Sequence, residues 1–187
     1  MTEKSFKRNL SSENSTKGLV LVFMGEGKGK TTAALGTAIR ALGQGLKVFI
    51  CFFMKGEYPY GERKILSKLP NVTIASFGQE NFVNPSKPTD EEISQARQAL
   101  NASHEAILSG DYDLVILDEI NVAAAFNLIR VEDILQLIKD KPASLELILT
   151  GRKADPRVIH VADLVTEMLK IRHPYDKGIP GRKGIEY

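Results

Sequence analysis

A parallel α/β sheet covered by helices on both faces is the fold class this sequence predicts, and three observations carry it. Short apolar runs alternate with helical patterns. Those runs place apolar residues at consecutive positions rather than at every second one. A glycine-rich turn joins the first run to the first helical stretch. Consecutive apolar residues mark strands buried on both faces, and their alternation with helices means a mainly parallel sheet. At 187 residues, 43% of them hydrophobic, the chain has the size and core of one ordinary domain.

Residues 1–17, MTEKSFKRNLSSENSTK, are polar, with Phe6 and Leu10 as apolar anchors, and cannot pack a core of their own; a flexible arm is expected there. The single domain is expected over 18–187. GLVLVFM reads as the first strand, followed by a helix over 31–42. KVFICFFM is the second strand, with helix 61–69 after it. VTIASF is the third. The next helix opens at Thr89, whose spacing to Glu92 is that of a capping box, and Gly110 should stop it after Ser109. YDLVILDE is the fourth strand, helix 131–139 follows, and LELILT is the fifth. Asp155 and Pro156 supply an N-cap and first-turn proline for a short helix, and a last strand is expected near 164–168.

The stretch FMGEGKGKTTAALG raises the question of function. Gly25, Gly27 and Gly29 follow a strand, and Lys30 and Thr31 open a helix, so backbone N–H groups have room to converge on phosphate oxygens. The residues expected around a nucleotide are Gly25, Glu26, Gly27, Lys28, Gly29, Lys30, Thr31 and Thr32. Lys30 would neutralise phosphate charge and the Thr31 hydroxyl would enter a Mg²⁺ (or Mn²⁺) shell, which makes these two the catalytic candidates. The full pattern G-x-x-x-x-G-K-[ST] is not met, because its first position falls on Met24. Asp118 and Glu119 end a buried strand at the edge where parallel sheets hold ligands, and with Thr31 they can hold the metal through oxygen. Acids at that position also serve simply as helix caps. Arg152, just beyond another strand end, can reach phosphate, although a solvated arginine fits the position equally well.

Composition excludes more than it names. With 25 Lys and Arg against 23 Asp and Glu, the net charge of +2 gives no reason to expect nucleic acid. No segment reaches the roughly 18 apolar residues of a membrane helix, so a cytoplasmic protein without membrane contact is expected. Cys51, the single cysteine, sits inside an apolar strand and reads as a buried, inert thiol. His104, His160 and His173 have no partners at metal-ligand spacing.

Three segments together, GEGKGKTTAALG, DLVILDEIN and the ending from TGRKADPRVIH to HPYDKGIPGRKGIEY, resemble the ATP:corrinoid adenosyltransferases of the phosphate-loop type. The similarity runs from Gly18 to Tyr187, and the ending is its most specific part. The resemblance implies a recombinase-like phosphate-loop fold, a homodimer, and transfer of the 5′-deoxyadenosyl group of ATP to cobalt(I) of a reduced corrinoid with release of triphosphate. It implies ATP lying reversed in the loop, which suits the altered first position at Met24. A reduced flavin or flavodoxin would supply electrons, and aromatic side chains would displace the lower cobalt ligand. The matching segment is SFGQENFVNP, with Phe82 first and Phe77 second as corrinoid-binding candidates. The chain has no tryptophan, so the aromatic pair of the family's enteric members is incomplete, and Phe52 stands where many members carry glutamine. Rival readings are a phosphate-loop ATPase or nucleoside kinase, and a corrinoid carrier without turnover. A zinc-ribbon thymidine kinase is excluded by the lone cysteine.

Overall fold

The computed structural model describes residues 17–56, 59–79 and 83–187. Residues 1–16, with Phe6 and Leu10, and the candidate Phe82 lie outside them. The strands are β1 (Val20–Met24), β2 (Val48–Phe52), β3 (Val72–Ser76), β4 (Leu114–Asp118), β5 (Glu146–Thr150) and β6 (Leu164–Glu167). They form one six-stranded sheet in the order β3-β2-β4-β5-β1-β6, and every pairing is parallel.

The helices are α1 (Lys30–Gly43), α2 (Gly61–Leu66), α3 (Asp90–Ser109), α4 (Ile120–Ala125), α5 (Val131–Asp140) and α6 (Pro156–Val161). Alternation along the central strands sends their side chains to two cores. Val115 and Leu117 of β4 join Ala99, Ile120, Ile134 and Val158 on one face, under α3 to α6. Leu114 and Ile116 join Ala34, Ala38 and Leu66 on the other, under α1 and α2. Cys51 is fully buried in the first core, and burial pushes its thiol pKa up to about 12.

Local chemistry sets the element ends. Thr89 and Glu92 close the expected capping box, Gly110 ends α3 at φ 75°, and Asp155 caps α6 through the Arg157 N–H. Helix 61–69 is shorter than expected and stops at Leu66. The edge strands depart from the expectation of burial on both faces: β6 is exposed along its length and β3 is half-exposed. An edge strand has a neighbour on one side only, and among the described residues β6 is left exposed along its length.

Topology creates the crevice. From β1 the chain crosses β5 and β4 through α1 to reach β2, whereas from β4 it runs back through α4 and α5 to β5. The connections leave in opposite directions at the carboxyl edge around β5, which is where an open parallel sheet holds a ligand.

Candidate active site at the carboxyl edge of the sheet

The loop after β1 is shaped from inside the protein. A Cβ on Gly25, at φ 102°, would stand 2.5 Å from the Met168 carbonyl oxygen, and one on Gly27 would stand 2.6 Å from that of Leu169. The Gly25 N–H donates to the Arg152 carbonyl at 3.0 Å and the Gly27 N–H to the Met168 carbonyl at 2.7 Å. These glycines therefore let the loop lie on the backbone beyond β6, and their N–H groups are spent on protein carbonyls. The N–H groups of Lys30, Thr31 and Thr32, as the first turn of α1, have no acceptor within the helix, which is the arrangement an anion would use. Lys30 is buried, and its Nζ donates to the carbonyls of Gly25 (2.8 Å) and Gly27 (2.6 Å). Burial lowers its pKa below the usual lysine value.

The acidic pair forms the second wall. Asp118 is fully buried, and its Oδ1 accepts from the Thr150 hydroxyl at 2.7 Å. That hydroxyl accepts in turn from the Glu119 N–H at 2.9 Å, holding Glu119 at φ 65°. Glu119 precedes α4 without capping it by its side chain. Burial raises its carboxyl pKa, with the Asp118 charge adding to the effect and Lys55, Lys30 and Arg152 opposing it.

Lys55 links the walls. Its Nζ donates to Asp118 Oδ2 at 2.5 Å and to Thr31 Oγ1 at 3.3 Å, so an ammonium sits between a hydroxyl and a carboxylate expected to hold metal. Burial works to lower the Lys55 pKa, but the charges of Asp118 and Glu119 outweigh it and hold the ammonium above its ordinary value. Arg63 fixes the turn around it, donating to the carbonyls of Gly56 (2.5 Å) and Lys55 (3.1 Å) while lying 4.6 Å from the Phe52 ring centroid.

The donor set fits a hard divalent cation. Thr31 Oγ1, Asp118 and Glu119 supply oxygen, and the Lys55 ammonium marks a position where positive charge is already stabilised. Among the described residues no group of three His, Cys, Asp or Glu converges, so phosphate oxygens and water would complete the shell.

Two cavities meet here. One, of about 430 Å³, runs along the phosphate loop and is roofed by the C-terminal segment, including His173, Tyr175 and Ile185. The roof is pinned by a 2.9 Å ion pair between Lys28 and Glu186. The other, of about 640 Å³, is the more apolar, with Phe53, Met54, Val83, Val122 and Phe126 in its walls. Glu26, Lys55, Tyr60, Glu119 and Arg152 line both. Arg152 is exposed and lies 3.8 Å from Glu26.

The expected residues Glu26, Lys28, Lys30, Thr31, Thr32, Glu119 and Arg152 thus face one cleft, with Asp118 beneath it. Phe77 does not line the apolar cavity. Its N–H is bonded to the Phe52 carbonyl at 3.0 Å, and its ring packs against the core. Lys55, Tyr60 and Thr150 were missed by the sequence reading. The feature that marked Asp118, a polar residue at the carboxyl end of a buried strand, holds for Lys55 and Thr150 as well.

A family model described as ATP:corrinoid adenosyltransferase BtuR/CobO/CobP matches residues 16–187. The chain belongs to this family. The corrinoid adenosyltransferase of Escherichia coli K12 is 32% identical over 91% of this chain and 86% of its own length. That of Pseudomonas aeruginosa is 33% identical, over 95% of this chain and 88% of its own. Corrinoid adenosyltransferase CobA of Salmonella typhimurium is 30% identical, over 91% and 86%. The family transfers the adenosyl group of ATP to a reduced corrinoid in cobalamin biosynthesis, and the chain is accordingly a transferase with ATP and corrinoid as substrates. No described helix is long and apolar enough to cross a membrane.

Proposed function

We propose that the triphosphate of ATP lies in the cavity along the phosphate loop, that the corrinoid enters the apolar cavity, and that C5′ meets cobalt at the seam between them. The observation that carries this reading is the set of side chains lining both cavities, Glu26, Lys55, Tyr60, Glu119 and Arg152. Cobalt(I) donates its electron pair to C5′, the bond from C5′ to the triphosphate oxygen breaks, and triphosphate leaves with that bond's pair. No proton moves, which suits a cleft in which no base is bonded to a nucleophilic side chain among the described residues. The chain's work is alignment and charge stabilisation. Lys30 and the first-turn N–H groups of α1 hold the phosphates; Thr31, Asp118 and Glu119 would hold Mg²⁺ or Mn²⁺, which supplies positive charge to the triphosphate.

The apolar walls and Phe126 exclude water from the corrinoid side. Among the described residues Phe53, Tyr60 and Phe126 are the aromatic groups in the lining of that cavity. A second copy of the chain as partner is supported by the exposed edge at β6 and beyond, where Leu164, Val165, Leu169 and Ile171 face solvent. The electron donor is proposed as a reduced flavin or flavodoxin, and the location as the cytoplasm.

The test is anaerobic: purified protein, Mg·ATP and chemically reduced cob(I)alamin, with the visible spectrum and the released phosphates followed together. Light-sensitive adenosylcobalamin with equimolar triphosphate is expected. Orthophosphate without alkylated cobalt overturns the proposed use of the loop. Lys30→Ala should abolish transfer while the far-UV spectrum survives.

A further inference from the structure

Lys55 occupies the position a metal ion would need. Its Nζ is bonded to Thr31 Oγ1 and Asp118 Oδ2, and its side chain is 13% exposed beside a carboxylate that is 0% exposed. Thr150 takes the other Asp118 oxygen, so Lys55 alone neutralises that carboxylate among the described ion pairs. Two cations cannot share this gap: an ammonium and a divalent ion a few ångströms apart repel strongly in a partly dry site. Lys55 also lines both cavities, with its Nζ 5.6 and 5.2 Å from the ring centroids of Phe52 and Tyr60.

We infer that Lys55 is a further catalytic residue with two positions. In the nucleotide-free enzyme its ammonium holds the cation position and excludes free divalent metal. When the nucleotide enters with its metal, Lys55 would give up that position and carry its ammonium to the triphosphate oxygen that leaves C5′. The cobalt–carbon bond forms from the cobalt(I) electron pair as the carbon–oxygen bond breaks, and Lys55 stabilises the negative charge gathering on that oxygen while keeping its own protons. This rests on the seam reading above for its second position, whereas the first needs only the contacts of the free protein.

Manganese(II) titration of nucleotide-free protein, read from the EPR signal of the free ion, tests the first position. Lys55→Met is expected to bind one ion about tenfold or more tighter than wild type, because a buried like charge has gone, and Lys55→Arg no tighter than wild type. Single-turnover transfer from Mg·ATP to cob(I)alamin tests the second: Lys55→Met should lose about 10²- to 10³-fold in rate with Mg·ATP bound no more weakly than by wild type. Manganese binding equal to wild type in Lys55→Met, or a transfer rate within twofold, overturns the inference. If Lys55→Met lacks the wild-type far-UV spectrum, Lys55→Gln, whose amide still donates to Asp118, carries both readouts. Wild-type protein that transfers nothing overturns the seam reading instead, and the manganese titration is read without corrinoid or nucleotide.

Discussion

Replacing Thr150 with valine tests how the acidic wall is held. The residue is fully buried at the end of β5, donates to Asp118 Oδ1 at 2.7 Å and accepts from the Glu119 N–H at 2.9 Å. Valine keeps the shape and removes both bonds. The bond to the charged acceptor is worth about 1.5–3 kcal/mol, and the stranded Glu119 N–H costs about 1–3 kcal/mol. A methyl in place of the hydroxyl returns roughly 0.8 kcal/mol of burial. The net loss is about 3 kcal/mol, which for a domain of this size lowers Tm by about 6–12 °C. Thermal melting followed by circular dichroism measures it, and Thr150→Ser, which keeps the hydroxyl, should retain most of the stability. Affinity for Mg·ATP should fall as well, because Asp118 and Glu119 lose the group that orients them both. A valine variant that melts within about 2 °C of wild type would refute the claim that this hydroxyl organises the site.

Gly27→Ala puts a methyl 2.6 Å from the Leu169 carbonyl oxygen, so the loop must lift off the segment beyond β6; nucleotide affinity should fall at least tenfold in a calorimetric titration while the helices remain. At pH 8 a thiol with a pKa of about 12 is ionised to about one part in ten thousand, so Cys51 should ignore Ellman's reagent until the protein unfolds. The same shift has a sign in stability: between the ordinary value of 9.0 and about 12, unfolded chains have lost the proton that folded ones keep. Stability should therefore decline as pH rises above about 9, and Cys51→Ala should lack that slope in denaturant titrations. Arg182 and Lys28 hold the Glu186 carboxyl below the usual range, so its contacts are present above that range and lost only as pH falls further. Glu186→Gln should speed amide exchange in the last four residues without a measurable change in Tm.

The central sheet was legible because β1, β2, β4 and β5 are covered on both faces, and burial leaves consecutive apolar residues as its trace. The capping chemistry of α3 and α6 was legible because it is local. Where partners are far apart in sequence, legibility failed. Helix α4 begins after Glu119 at positive φ, a conformation imposed by the Thr150 hydroxyl, 31 residues away in the chain. Lys55 gains its meaning from Thr31 and Asp118, 24 and 63 residues distant, and nothing in FFMKG announces either contact. The place of Phe77 was hidden for a similar reason: its backbone bond to Phe52 and its packing against the core depend on contacts that sequence does not display.

Gly25 and Gly27 rest on the backbone of Met168 and Leu169, so the nucleotide loop is finished by chain made much later, from the far end of the sequence. During synthesis the motif emerges early, but its shape waits for the last strand to dock. A nascent or truncated chain ending before β6 would carry every residue of the motif and still lack its form. The form of the loop is thus a property of the closed sheet, set where β6 pairs with β1 and the residues after it reach the glycines.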